Sequence, residues 1–540
     1  MTNISKIFSP KGLRSAAPLL LILALVCGLY ANTLDNELTY WDDNRYVTEN
    51  PRVTDLSLPG VVRIFNPMDI MADPEVALTE YLPVTTLAHA VAYAISGLAP
   101  YGYHLVNIFF YLACLVLLYL LVNTLTDHGP TAFLSTLIFA ILPVHVESVT
   151  WVSATKDVVS GVFFLASFLL YIRYSREGGH GRGQRALFYG LSLAAFTLAM
   201  LSKTLVVTLP GLLLLYDLSF TRRLRLIDKV PYFAIGIALS LLYIRVNVQY
   251  SEATYLTTGI GPWGVLLTDL TVVRDYMGML LAPVGLNSFY TYAPEDIPVS
   301  LFQPGVLFSA FLAAGVCAVG VAAYLRGSRI VPFTIFWFFI ALVPSLNLIP
   351  SSTIKADRYL FLPSIGFSLL AGWGITRLRG SGRLPGKGIT AIFVAWAFWL
   401  AMLTVQRNGD WQNGITLWRD SLAKGPGAAR AHFIIGNELR HRGRLDEAVV
   451  EYEAALAANP LHVDACNNLG ASHGVLGNIP QAAVVLERCL ELDPENVNTR
   501  LNLARAQIAL GMTARAESNL RRVLARDPGN EEAGRLMEGL

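Results

Sequence analysis

Long apolar runs separated by short charged stretches fill the first three-quarters of the chain, and a shorter amphipathic period replaces them after about residue 410. A helix that crosses a membrane needs roughly 20 apolar residues. Runs of that kind lie near 16–34, 103–126, 131–147, 157–174, 185–201, 204–218, 230–247, 303–325, 330–348, 359–377 and 388–406, which predicts eleven spans. Two more apolar segments, 82–98 and 263–283, are assigned to interfacial or re-entrant positions. The second holds Asp269, Arg274 and Asp275 in mid-segment, at about 2.5–3.5 kcal/mol per charge at a bilayer centre. The first run, preceded by Lys6, Lys11 and Arg14, has no small-residue cleavage site after it and reads as a retained span.

Charge orients these spans, because Lys and Arg accumulate on the cytoplasmic side. With a cytoplasmic N-terminus and eleven spans, four basic clusters share that side: Arg173, Arg176, Arg182 and Arg185; Arg222, Arg223, Arg225 and Lys229; Arg326 and Arg329; and Arg377, Arg379, Arg383 and Lys387. Counting 82–98 alone as a span would carry the next two clusters across the membrane. The loop YWDDNRYVTENPRV, Tyr40 to Val53, and the C-terminal tail are therefore both expected on the non-cytoplasmic face.

Composition agrees with a polytopic membrane protein: 54% of the residues are hydrophobic, 15% are charged, and the mean hydropathy is +0.48. A net charge of +2, with no groove of interleaved basic and aromatic residues, excludes a nucleic-acid partner. Cys27, Cys114 and Cys317 lie in apolar runs, and Cys466 and Cys489 lie in the polar tail without metal-ligand spacing. All five read as small packing residues.

From Ala431 onward a period of 34 residues appears: Gly443, Gly477 and Gly511; Ala448, Ala482 and Ala516; Pro460, Pro494 and Pro528. This is the tetratricopeptide period, in which small residues sit where two helices cross, Gly ends one helix and Pro breaks the next. Extended backwards, it places Gly414, Trp418, Ser421 and Pro426 in register as a half repeat. The expected organisation is a transmembrane domain over 1–410 and a repeat domain over 411–540. The latter comprises the half repeat 411–426, repeats 427–460, 461–494 and 495–528, and a capping helix 529–540. Its junction with the last span is expected to be rigid and helical. Such a solenoid suits an extended polypeptide; a structural or dimerising role is the alternative.

The non-cytoplasmic ends of the spans carry the polar residues that a reaction there would need. LPVHVESVTWVSATKD supplies His145, Glu147, Lys156 and Asp157, LSKT supplies Lys203, and PSLNLIPSSTIKADRYLFLPS supplies Asn347, Lys355, Asp357, Arg358 and Tyr359. Singly each has a structural explanation: a loop hydrogen bond for His145 and Glu147, a snorkelling Lys203, a helix cap at Asp357 and Arg358. Together with Tyr290 and Tyr292 they suit an anionic, lipid-linked substrate.

WDDNRYVTENPRV, YLPVTTLAHAVAYAISGLAPYGYHLVN, LPVHVESVTWVSATKDVVSG, LSKTLVVTLP and LIPSSTIKADRYLFLPSIG, followed by repeats, resemble the transmembrane and tetratricopeptide-repeat protein O-mannosyltransferases and their bacterial relatives. The resemblance runs from about Leu34 to the end of the chain. It implies an all-α GT-C glycosyltransferase bundle, in which a polyprenyl-phosphate sugar donor is used outside the cytoplasm and the first outer loop carries a catalytic acid. Carried over, that acid is Asp42 or Asp43. At Thr204 the sequence departs from a common family pattern, in which an acidic residue follows the lysine.

The residue types fit that chemistry. A carboxylate within hydrogen-bond reach can take the proton of a serine or threonine hydroxyl as it attacks. The departing lipid phosphate needs cations, for which Arg358, Lys203 and Lys156 are the candidates. One carboxylate and a single displacement imply inversion. The second aspartate positions the first, raises its pKa, or holds a divalent metal, and no metal or other cofactor is required. Two other readings stand beside this one: a GT-C enzyme that glycosylates a cell-surface glycan or lipid, and a non-enzymatic membrane scaffold for envelope assembly. The membrane expected is the bacterial inner membrane.

Overall fold

The computed structural model describes residues 10–72, 80–176, 181–247, 261–290, 297–347, 353–383, 385–425 and 427–540; Tyr292 and Pro426 lie outside the described residues. All regular structure among them is helical. The chain divides into two compact units, Met1–Gln412 and Asn413–Leu540.

In the first unit eight helices are long and apolar enough to cross a membrane: Ala17–Asp35, Pro100–Thr126, Val152–Ser175, Arg182–Ser202, Thr204–Thr221, Ile227–Asn247, Pro304–Leu325 and Gly386–Asp410. A ninth is obtained if Gly129–Ala140 and Pro143–Thr150, bent by 58° at their junction, count as one span. Of the expected eleven, eight or nine meet that length and composition among the described residues, and proline accounts for much of the difference. Pro143 interrupts the run 131–147, since it cannot donate to the helix ladder. Pro344 sits in the turn that closes the shorter apolar helix Ile330–Leu342. The remaining expected span is the helix Pro363–Gly380, which carries Arg377 and Arg379 in its final turn. Of the two segments set aside, both are helical, Pro83–Ser96 and Pro262–Leu281.

Proline in the first turn opens Pro83–Ser96, Pro100–Thr126, Pro262–Leu281, Pro304–Leu325 and Pro363–Gly380, where its missing N–H costs nothing. Small residues let these helices approach closely, as membrane packing requires. At Gly372 a Cβ would lie 2.6 Å from the backbone nitrogen of Ser135. The most deeply buried of the charged pairs described involves Lys229, whose ammonium contacts Asp217 and the Tyr171 hydroxyl, and the Arg225 N–H donates to Asp217 Oδ2 at 3.2 Å. Asp217 and Lys229 are 0% and 1% exposed.

The second unit pairs Ala428–His441 with Leu445–Ala458, Val463–Val475 with Ile479–Leu492, and Val497–Ala509 with Thr513–Arg526. Gly414–Lys424 precedes the pairs and Glu531–Glu538 follows them. Gly443, Gly477 and Gly511 hold φ of +73°, +81° and +73° between the paired helices, a left-handed turn that a Cβ would penalise. Ala448, Ala482 and Ala516 are buried. Cys466 and Cys489 correct the sequence reading: they are joined in a disulfide between the two helices of one pair. Their separation of 23 residues matches no cysteine framework. Only the helical hairpin brings their Cα atoms to 5.7 Å, within bridging range.

A cavity of about 560 Å³ in this unit is lined by Asn467, Asn468, Asn498 and Asn502. Asn502 donates to Asn467 Oδ1 at 3.0 Å, and Asn468 donates to Asn437 Oδ1 at 2.8 Å. Amides thus line the cavity from successive repeats.

Candidate active site

After the first span the chain makes a short turn, Ala31–Asp35, and reaches the two adjacent aspartates. They part company at once. Asp43 is buried and accepts four hydrogen bonds: from Thr39 N–H and Oγ1 at 2.9 Å each, from Ser153 N–H at 2.9 Å, and from the Ser153 hydroxyl. Those donors clamp the loop onto the Val152–Ala154 turn. Trp41 reinforces the clamp by stacking on Trp151, with ring centroids 4.7 Å apart. With Asp43 fixed inward, its neighbour Asp42 lines a cavity of about 400 Å³.

That cavity collects side chains from well-separated segments. Lys156, Lys203 and Arg358 supply three cations, and Asp42 and Glu80 supply two carboxylates. Each cation is tied to an acid. Lys156 Nζ lies 2.8 Å from Glu80 Oε2 and 5.0 Å from the Tyr46 ring centroid. Lys203 pairs with the buried Asp157. Arg358 pairs with the buried Glu147 through its guanidinium, and its backbone N–H donates to Glu147 Oε2 at 2.9 Å. The Arg358 guanidinium also sits over Trp151 at 5.4 Å and Tyr359 at 5.3 Å, where the ring faces attract its charge.

Burial sets the electrostatics. It pushes the Asp42 carboxyl above the usual carboxylate range, against the pull of Lys156 and then Arg358. Burial likewise raises Asp43, to about 6, although its Ser153 and Thr39 donors work in the opposite direction. Burial disfavours the Arg358 charge, but Glu147 more than offsets this and holds the guanidinium above its ordinary value. Burial lowers the Lys203 ammonium in spite of Asp157.

Of the residues expected from sequence, Asp42, Lys156, Lys203, Asn347, Arg358 and Tyr359 line this cavity. Glu147 and Asp157 stand behind its cations. Asp43 does not line it, and neither do His145, Asp357 or Tyr290. His145 is packed against Phe139 and Phe361, with Nε2 2.8 Å from Ser364 Oγ and Nδ1 3.2 Å from the Tyr111 hydroxyl. It is a satisfied core residue. Asp357 points away from its neighbour Arg358, accepts from the Tyr290 hydroxyl at 2.6 Å and faces Arg407 at 3.6 Å. Its pKa is raised to about 7, chiefly by burial. Lys355 pairs with Asp275 at 2.9 Å.

Glu80, Trp151, Tyr46 and Tyr243 also line the cavity and were not singled out from sequence. Glu80 stands immediately before YLPVTT, a position that could have marked it. Asp269, treated only as a charge too costly for a span, accepts from the Asn347 amide at 3.0 Å and so orients a cavity residue.

Among the described residues no group of three or more His, Cys, Asp and Glu side chains could hold a metal ion. Asp43 in particular has four N–H and O–H donors around its oxygens, an arrangement that suits a fixed carboxylate and not a cation ligand.

Residues 81–246 match the family model for dolichyl-phosphate-mannose-protein mannosyltransferase, and residues 403–463, 435–496 and 476–540 match tetratricopeptide-repeat models. Protein O-mannosyl-transferase Tmtc3 of Drosophila melanogaster is 25% identical over 459 residues, covering 72% of this chain and 50% of that protein. Protein O-mannosyl-transferase TMTC1 of Homo sapiens is 26% identical over 513 residues, covering 85% of this chain and 57% of that protein. The chain spans about half the length of the curated relatives it matches. Among solved structures, ArnT from Cupriavidus metallidurans bound to undecaprenyl phosphate is 16% identical with a TM-score of 0.41, covering 87% of this chain and 80% of that one. With mannosyltransferase-type and repeat matches in this order along one chain, the protein is similar in domain order to the transmembrane and tetratricopeptide-repeat protein O-mannosyl-transferases.

Proposed function

We propose that this chain transfers a sugar, mannose by the names of its relatives, from a polyprenyl-phosphate donor to serine or threonine hydroxyls of an extended protein. The observation that carries the proposal is the Asp42 carboxyl facing a cavity with Arg358, Lys156 and Lys203. As the acceptor oxygen attacks the anomeric carbon, Asp42 takes the hydroxyl proton. The bond from that carbon to the phosphate oxygen breaks, and the polyprenyl phosphate leaves as an anion that the three cations stabilise. One displacement inverts the anomeric configuration. Asp43 is a positioning residue in this scheme, since its four hydrogen bonds fix the loop that presents Asp42. The purified full-length protein, given a synthetic polyprenyl-phosphate mannose and a Ser/Thr-rich peptide, should yield an α- or β-linked product opposite in anomeric configuration to the donor. Retention of configuration would remove the single-displacement scheme.

The cavity and the repeat unit are both assigned to the non-cytoplasmic face, with the N-terminus in the cytoplasm, and the membrane to a bacterial inner membrane. The basic clusters support this orientation. So does the Cys466–Cys489 disulfide, since such bonds persist in oxidising compartments. A reporter active only in the cytoplasm, fused after Leu540, should be silent, and Cys466 and Cys489 should resist alkylation until a reductant is added. Strong reporter activity together with freely reactive thiols would reverse the assignment.

Docking of the acceptor falls to the repeats, whose asparagine-lined cavity offers donors and acceptors suited to a peptide backbone. Deletion of residues 427–540 should abolish protein modification yet leave slow hydrolysis of the donor. Loss of donor binding in that variant would contradict the division of labour.

A further inference from the structure

At the end of the helical bundle away from the candidate active site, two adjoining cavities of about 460 and 880 Å³ share Leu125, Phe220 and Arg329 in their walls. Lys156 stands at one end of the Thr155–Ser175 helix and Arg176 follows the other, a distance of about 30 Å at the helical rise. Arg176, Arg223, Arg225, Arg329, Arg377 and Arg383 converge on the two hollows from four separate connections. No Asp or Glu is among the described residues that line either one.

The tendency of basic residues to gather on one membrane face explains their presence there, but not their convergence on a hollow whose walls carry no acid. The walls also combine the arginines with Leu125, Phe220, Ile330, Trp373 and Leu378. Guanidinium groups beside apolar surface match an anion that carries a hydrocarbon tail. Basic pockets between spans are known binders of phosphorylated lipid headgroups, and the arginine fork fits phosphate oxygens in pairs.

We propose that these joined cavities bind the phosphate-bearing headgroup of an anionic lipid, at a site separate from the donor cavity and independent of the transfer reaction. Arg329 and Arg377 are exposed, so replacing them leaves the fold intact. Full-length protein in a neutral detergent is titrated with dioleoyl-phosphatidic acid, and bound lipid is counted by native mass spectrometry. The wild type should retain the lipid, and the R329Q/R377Q double variant should bind it at least about tenfold more weakly, as expected when charge-assisted hydrogen bonds to phosphate are lost. R182Q, on the same face and outside both cavities, should match the wild type, and dioleoyl-phosphatidylcholine should bind equally poorly to all. Equal retention of phosphatidic acid by wild type and double variant overturns the proposal. Displacement of the lipid by millimolar inorganic phosphate, with the same dependence on Arg329 and Arg377, overturns it in favour of a soluble phosphate.

Discussion

Replacing Asp42 with asparagine is expected to lower sugar transfer by at least about a hundredfold, the usual loss when a positioned general base is removed, while donor binding stays near the wild-type level. The pH profile should report the same group. The base acts only when ionised, and burial raises the Asp42 pKa. Wild-type transfer should therefore fall on acidification at a pH above the ordinary carboxylate range, and D42N should lack that limb. D43N acts differently, because an amide cannot accept from both Thr39 and Ser153 as the carboxylate does. It should melt at a lower temperature and lose less activity than D42N. Arg358→Ala should weaken donor binding, since it removes a phosphate partner. Transfer at the wild-type rate by both D42N and D43N would sink the catalytic reading and favour the membrane scaffold.

The largest effect on stability is expected at Asp217. Asp217→Ala leaves the Lys229 ammonium buried without its carboxylate, and breaking a buried pair in this way costs about 3–5 kcal/mol. Thermal unfolding in detergent should show a large drop in melting temperature. The double variant D217L/K229M should recover most of it, since two apolar side chains remove both the charge and its need for a partner. An unchanged melting temperature for D217A would mean that water reaches Lys229 and the pair is not part of the core.

Local physics was readable from the sequence wherever one segment decides the outcome. The repeat glycines at 443, 477 and 511 have a left-handed backbone because the next helix must turn back at once. The cations at 156, 203 and 358 were identified because each stands beside an apolar run on the same expected face. What depended on distant partners was not readable. Glu80 meets Lys156 from 76 positions away, and adjacency in sequence could not say that Asp43 turns inward to Ser153 while Asp42 turns outward. The same blindness affected His145, whose neighbours in the motif pointed to chemistry and whose neighbours in space are aromatic rings. Cys466 and Cys489 were misread for this reason too, since only the pairing of their helices brings them together.

The tethering of Lys156, Lys203 and Arg358 to Glu80, Asp157 and Glu147 bears on how tightly the cavity holds each stage of a reaction. A sugar phosphodiester carries one negative charge, and the lipid phosphate that departs carries up to two. Cations already half-satisfied by carboxylates attract the first only moderately, and their side chains need no ordering when it arrives. In the proposed transfer the attraction grows as the second charge develops, so that such a wall would favour bond breaking over mere occupancy, which is the difference that accelerates a reaction. The same carboxylates remain in place to reclaim the cations afterwards, and so give the spent lipid a way out.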